Sequence, residues 1–420
     1  MQRVRMGLPY YRENGWEPVV LAMSPELIEG AIIEPLLEQS LPSDLRVVRS
    51  RGLPASYTRW AGTGNLWLRC GRDFTRSGDG LIREQRFDLA FISTTQFSSF
   101  TLGPRWLRKF GLPYVLDYQD PWRNTYYEKR RLRPPGGILK FALSQLHALR
   151  CEPQALRQAA GIVAVSDSYE AMLRSLYPRT PFPTVRTMPF GASERDFRIA
   201  ARHKPEHPLI SSQADLVNIV YAGRCGPDMS LSMTALFSAF RRFLQSHPAE
   251  ASRIRFHFIG TDYAPPPMGR EWAMPVAHEL GVARYVSEHC RRVPFYDALH
   301  YLLQADALVA VGSNDPTYSA SKLYPYILAR RPLLTLFHRA SLVTALAREL
   351  QAGLTLHFDD DADAEKLAAA IHRDWFMTGD YLRYRPHDEQ AFQSLHARQS
   401  TAELCRHFDQ VLETAPRACP

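Results

Sequence analysis

An α/β architecture of two doubly wound domains, each a parallel sheet with helices on both faces, is what this sequence predicts, and three observations carry it. Strand-length apolar runs alternate with helix-length periodic segments in both halves, the pattern of βαβ units. The 420 residues exceed what one hydrophobic core usually organises. Between the two alternating sets lies Arg195 to Ala214, polar and carrying Lys204-Pro205 and His207-Pro208, which is expected to be a linker.

Hydrophobic residues make up 45% and charged residues 22% of the chain, the balance of a protein with full cores rather than a disordered one. No apolar run approaches the roughly eighteen residues of a membrane span. The polar, basic start MQRVRMGLPYYREN is no secretory signal. Six cysteines, at 70, 151, 225, 290, 405 and 419, form no Cys-x-x-Cys pair, so reduced thiols in a cytoplasmic protein are expected, without a zinc site. Charge is uneven: residues 1–210 hold 30 Lys and Arg against 20 Asp and Glu, and residues 211–420 hold 21 against 23. A basic first half suits something anionic, whether phospholipid headgroups, a lipid-linked phosphate or nucleic acid. An Arg-rich composition accounts for the same surplus.

The first half opens with a helix over Gln2 to Tyr11, then a strand, Trp16 to Ala22. A doubly wound domain normally begins with a strand and a glycine-rich turn before that helix. Neither is present, so the chain is expected to start late. Strands follow at Asp88 to Ser93, Pro113 to Asp117 and Gly161 to Val165, with helices at Leu102 to Phe110 and Ile138 to Ala160. Asp167 and Glu170 have capping-box spacing. The basic segment Glu128 to Pro135 is expected to be a loop, facing an anionic surface or simply solvated. In the second half the strands are Leu216 to Gly223, Ile254 to Gly260, a short one between Val286 and Pro294, Ala305 to Val311, Leu333 to Phe337 and Gly353 to Phe358. Helices are expected over Ser230 to Gln245, Tyr296 to Gln304, Leu323 to Arg330 and Phe392 to Leu412.

The stretch Val311 to Leu334, VGSNDPTYSASKLYPYILARRPLL, is the candidate binding site. A buried strand leads through a small polar loop into a helix start carrying Ser319, Ser321 and Lys322. Unpaired N–H groups and the positive end of the helix dipole would meet an anion there. Pro325 is tolerated only in the first turn, so the helix begins between Ser321 and Tyr324. An ordinary capped helix after a core strand has the same pattern.

Over nearly its whole length the chain resembles the family 4 (group 1) glycosyltransferases of the GT-B fold. The segments that carry the resemblance are RVRMGLPYYRENGWEPVVLA, PYVLDYQDPW, GIVAVSDSYEAML, MPFGASERDF, IVYAGRCGPDMSLSMTALFSAF, FHFIGTD, RVPFYDALHYLLQADALVAV and ASKLYPYILARRPLL. The resemblance implies two Rossmann-like domains facing a cleft: residues 1–205 on the acceptor side, 206–385 for the nucleotide-sugar donor, and 386–420 crossing back to the first domain. It implies sugar transfer from a nucleotide diphosphate donor to a polysaccharide, lipid-linked or small-molecule acceptor, with retention and without a metal or other cofactor. Ser321 and Lys322 would stabilise the diphosphate, with Ser319, Tyr324 and, more loosely, Arg224 in the donor site. Asp120 would orient an acceptor hydroxyl, act as base, or merely cap the turn at Pro121-Trp122.

One departure stands out. The family's donor helix carries a Glu that holds the ribose, and Pro325 stands in its place; the earlier acid of the pair is Thr317, with Asp315 nearby. Either Asp315 or backbone groups take over, or the donor is unusual, or the protein is a non-catalytic relative that docks on a membrane or partner. A peripheral position at the inner face of an anionic membrane is expected, and no nucleic-acid partner.

Overall fold

The computed structural model describes residues 2–28, 33–57, 65–123, 137–210, 213–262, 269–314 and 323–414. The chain divides into two compact units. Unit 1 comprises Met1–Ile33, Leu41–Gly191 and Ala397–Pro420, and unit 2 comprises Glu34–Ser40 and Ala192–His396. The basic segment Glu128 to Pro135 lies outside the described residues.

Unit 1 holds two parallel sheets. Strands β1 (Val19–Met23) and β2 (Arg46–Ser50) form one; β3 (Ala90–Thr94), β4 (Tyr114–Tyr118), β5 (Gly161–Ala164) and β6 (Val185–Thr187) form the other, in that order. Its helices are α1 (Gln2–Gly7), α2 (Leu66–Glu84), α3 (Leu102–Phe110), α4 (Ile138–Gln158) and α5 (Ser168–Leu176), joined by the last long helix, Ala397–Thr414. The first helix stops earlier than expected because Pro9 cannot continue it, and a 3-10 turn, Leu8–Tyr10, follows.

Strand β4 is buried on both faces, as a central parallel strand is. Tyr114, Leu116 and Tyr118 pack with Trp106, Trp122 and α4 on one face. Val115 joins Val163, Leu8 and Tyr11 under Leu404, Phe408 and Val411 of the last helix on the other. The expected continuous helix from Phe392 is two helices, Glu389–Gln393 and Ala397–Thr414, interrupted where Ala192 N–H donates to Leu395 O. The Asp167–Glu170 capping box is not formed either. Asp167 makes no side-chain cap, and Glu170 instead accepts from Arg174 and from Val185 N–H.

Helix α4 buries one carboxylate. Glu152 is 1% exposed and accepts from the Tyr118 hydroxyl at 2.9 Å and the Tyr177 hydroxyl at 2.6 Å. Burial outweighs those bonds and pushes its pKa up to about 7. A folded-state value above the unfolded one means stability that is full below about pH 4.5 and lost as pH rises through 7. Replacing Glu152 by Gln is therefore expected to flatten the decline of unfolding free energy between pH 5 and 8, a decline of roughly 3 kcal/mol in the wild type. Urea titrations across that range check it, and an unchanged slope in Glu152→Gln would sink the assignment.

Unit 2 is one six-stranded parallel sheet. In chain order its strands are β7 (Val217–Ala222), β8 (Ile254–Ile259), β9 (Val286–His289), β10 (Ala307–Val311), β11 (Leu333–His338) and β12 (Leu354–Phe358). Across the sheet they run β12-β11-β10-β7-β8-β9. The labelled helices here are α6 (Glu194–Arg202), α7 (Ser230–Ser246), α8 (Phe295–Gln304) and α9 (Leu323–Leu328). Phe237, Phe240 and Phe243 of α7 pack against Phe256 and Phe258 of β8, the Phe240–Phe256 rings edge to face at 5.0 Å.

The stretch expected as a linker opens instead with α6. Ser193 caps it by accepting from Asp196 N–H, the Tyr296 hydroxyl donates to Asp196 at 2.9 Å, and His203 meets Asp297 of α8. Its polarity is that of an amphipathic helix, with Arg195, Arg198 and Arg202 on one face. Helix α9 is described from Leu323, the first residue after a stretch outside the described residues, and contains Pro325. It ends at Leu328, two residues early, where Arg330 turns to a left-handed φ of 53°.

Candidate active site

Unit 2 has the strand order of a doubly wound sheet, and β7 and β10, hydrogen-bonded neighbours, mark the place where that order reverses. Ligands of such sheets bind beyond the carboxyl ends of the strands at that point. Two loops leave the sheet there, Gly223-Arg224-Cys225-Gly226 after β7 and Gly312-Ser313-Asn314 after β10. Gly312 N–H donates to Leu336 O, and a Cβ on Gly312 would sit 2.4 Å from the Phe337 ring. Only glycine fits. Ser232 Oγ of α7 donates to Gly312 O at 2.9 Å, and Asn314 N–H donates to Asp228 O at 2.8 Å. The loop after β10 is thus tied to the loop after β7 before the chain reaches residue 315.

Arg224 stands in this group, its guanidinium paired with Asp228 at 2.7 and 3.1 Å. Arg224 and a serine hydroxyl, that of Ser313, hold the Asp228 carboxyl below the usual carboxylate range despite its burial. The pairing fixes the direction of Arg224 and offsets part of its charge. Tyr326 of α9 reaches across to β7, its hydroxyl accepting from Ala222 N–H at 2.8 Å. Tyr324 is buried, 6% exposed, within the same helix. Asp315, Ser319, Ser321 and Lys322 lie outside the described residues, as does Thr317. Asp228, Ser313 and Tyr326 were not singled out from the sequence. An acid four residues after the arginine was the available signal for the first of them.

In unit 1 polar groups gather at the carboxyl edge of β3 and β4. Asp117 is fully buried near the end of β4 and accepts on one oxygen from Arg3 Nε at 3.1 Å, Ser93 Oγ at 2.7 Å and Gln119 Nε2 at 2.9 Å. Arg3, 7% exposed, also donates to the carbonyls of Met188 and Pro189. Asp120, the residue named from the sequence, is exposed just beyond the strand. Among the described residues it has no hydrogen-bond partner, and desolvation raises its carboxyl above the ordinary range. Asp120 is the acid expected from the sequence, and Asp117, buried three residues earlier, was not singled out. A charge inside the apolar run Tyr-Val-Leu-Asp-Tyr was the signal for Asp117.

Among the described residues no group of three His, Cys, Asp or Glu side chains is placed to hold a metal ion, and no helix is long and apolar enough to cross a membrane.

Residues 2–191 match the family described as Glycosyl transferase 4-like domain. No curated protein matches the chain by sequence. Among solved structures the chain is similar to a glycosyltransferase from Rickettsia africae, at 11% identity over 99% of this chain and 95% of that one, with a TM-score of 0.57. It is also similar to Anabaena HepE in complex with UDP and glucose, at 13% identity over 97% and 95%, with a TM-score of 0.57. A UDP-forming α,α-trehalose-phosphate synthase from Burkholderia vietnamiensis gives 14% identity over 85% and 78%, with a TM-score of 0.55. At these identities the likeness is one of fold.

Proposed function

We propose that this chain, whose residues 2–191 match the family described as Glycosyl transferase 4-like domain and which has the GT-B fold, transfers a sugar from a nucleotide diphosphate to an acceptor hydroxyl. The observation that carries this reading is the pair of loops tied together at the strand-order reversal of unit 2, because a phosphorylated ligand of a doubly wound sheet binds at that place. UDP is the first donor base to test, since Anabaena HepE is described with UDP and glucose. In the reaction the anomeric carbon–oxygen bond to the diphosphate breaks, a bond to the acceptor oxygen forms, and the diphosphate leaves with added negative charge. Ser321, Lys322 and the oriented Arg224 supply hydrogen bonds and positive charge for it. Asp120 orients the acceptor hydroxyl or takes its proton. Asp315 or backbone groups serve the ribose in place of the glutamate that Pro325 displaces. Retention and independence of metal belong to the same proposal.

The experiment is a thermal-shift series with UDP, GDP, ADP and their sugars, followed by release of the nucleoside diphosphate. A bound nucleotide at 100 times its Kd is expected to stabilise the protein by about 2.7 kcal/mol. No shift with any nucleotide would overturn the proposal.

A lipid-linked acceptor at an anionic membrane is favoured by one feature of unit 1. Helix α4 leaves Ile138, Leu139, Leu143, Leu146 and Leu149 exposed, Leu139 at 75%. Such a stripe, in a half of the chain with a basic surplus, suits a headgroup boundary. Co-sedimentation with phosphatidylglycerol vesicles is expected, and Leu139→Asp with Leu143→Asp should abolish it; equal binding by the double variant would remove α4 from the interface. The same measurement with no sugar turnover would favour a non-catalytic membrane-docking protein.

A further inference from the structure

Helix α6 has two faces of opposite character. On one, Asp196 accepts from the Tyr296 hydroxyl, the Ala200 carbonyl accepts from His300 Nδ1, and His203, just past the helix, meets Asp297. All three partners belong to α8. On the other stand Arg195, Arg198 and Arg202, spaced three and four residues apart and therefore neighbours along the helix surface. With Ile199 and Gln39 they line an open cavity of about 320 Å³. Gln39 ends the short helix Leu36–Gln39, which is part of unit 2.

We propose that this cavity is a binding site for a diphosphate group, held by the guanidiniums of Arg195, Arg198 and Arg202 and separate from the nucleotide site at the ends of β7 and β10.

Charge is the first argument. Other arginines of unit 2 are neutralised by carboxylates: Arg242 by Glu365, Arg339 by Asp359 and Arg373 by Asp374. Among the described residues Arg198 and Arg202 meet no carboxylate and no other hydrogen-bond acceptor. Arg195 gives one N–H to the Gln39 carbonyl at 3.1 Å, which anchors its side chain at the cavity wall. Glu194, next to it in the chain, lies instead 3.4 Å from His396. Like charges three and four residues apart on a helix repel one another, and an anion between them relieves that repulsion.

The lining decides which anion. Ile199 is the one apolar side chain in it, so an apolar ligand has little to bury against. Guanidinium forks match the oxygens of phosphate in pairs. A phosphate ester carries roughly −1.5 to −2 at neutral pH, so one phosphoryl group leaves part of the triad unmet and two in line balance it. A single carboxylate balances far less. None of the cavity's residues belongs to the loops around Arg224 and Gly312. A soluble diphosphate and a diphosphate-linked lipid headgroup present the same chemistry to the three arginines.

The test is phenylglyoxal labelling of the full chain, read arginine by arginine by mass spectrometry, which reports on this cavity whatever happens at the nucleotide site. Inorganic pyrophosphate at ten times its Kd is expected to slow labelling of Arg198 and Arg202 about tenfold. Exposed Arg157 of α4 should label at its usual rate. Equal protection by sodium chloride at matched ionic strength would mean screening alone and overturns the proposal, as does equal protection of Arg157 or none at all. Phosphatidylcholine vesicles carrying a polyprenyl diphosphate that protect at lower phosphate concentration than free pyrophosphate would assign the group to a lipid; the reverse order would assign it to a soluble ligand. Arg198→Gln with Arg202→Gln should lose one equivalent of pyrophosphate in isothermal titration and keep whatever thermal shift UDP gives the wild type. Retention of that equivalent would overturn the site, and a parallel loss of the UDP shift would overturn its separateness.

Discussion

Replacing Asp117 by Ala is expected to cost unit 1 roughly 3–5 kcal/mol, the loss typical of a broken buried ion pair. The pair joins α1 to β4, and both partners are almost wholly out of water, at 7% and 0% exposure. Removing the carboxylate leaves the Arg3 guanidinium with the carbonyls of Met188 and Pro189 and the face of the Phe190 ring, and takes an acceptor from Ser93 and Gln119. The penalty comes mainly from the charge left behind, not from the bond lost. The double variant Arg3→Met with Asp117→Ala should therefore recover much of the loss, because an apolar pair in that place strands no charge. Urea unfolding followed by a probe in unit 1, such as Trp106 fluorescence, measures both. A double variant no more stable than Asp117→Ala alone would show that the penalty lies in packing.

The second large effect belongs to Lys322. If its ammonium meets the departing diphosphate, Lys322→Ala should lower kcat by about 10²–10³, the usual loss of one aligned charge donor in a desolvated site. Nucleotide-induced stabilisation should fall with it. Arg224→Ala gives the informative contrast. Arg224 is already paired with Asp228, so its loss also leaves a carboxylate facing the ligand, and Asp228→Ala added to it should restore part of the binding. Kinetics and thermal shifts of the three variants check this. Wild-type kcat in Lys322→Ala would remove the lysine from the reaction.

Where the sequence was legible, one physical signal dominated locally. The run Ala305 to Val311 announces a buried strand, and β10 is buried at every position. Where competing signals mixed, the pattern failed. Helix α2, nineteen residues long, went unnoticed because Gly71, Gly78 and Gly80 read as breakers. Two of those glycines serve packing instead: a Cβ on Gly71 would meet the Trp67 ring at 2.9 Å, and one on Gly78 the Trp106 ring at 2.5 Å. The split of unit 1 into two sheets could not be read locally either, since pairing partners are fixed by topology. At the candidate site the loops were legible from glycine and strand ends, but the Arg224–Asp228 pair and the burial of Asp117 depend on contacts that no spacing rule reports.

The interrupted path of unit 1 through the chain bears on its synthesis. The face under Val115 and Val163 is covered by Leu404, Phe408 and Val411, which follow the last residue of unit 2. At ribosomal rates of about 5–20 residues per second, the intervening stretch takes roughly 10–40 s to emerge. For that interval the nascent amino-terminal sheet carries a bare greasy surface while the later-made unit is already able to close. Chaperone dependence during translation, relieved by supplying the Ala397–Thr414 helix early in a circular permutant, is the corollary.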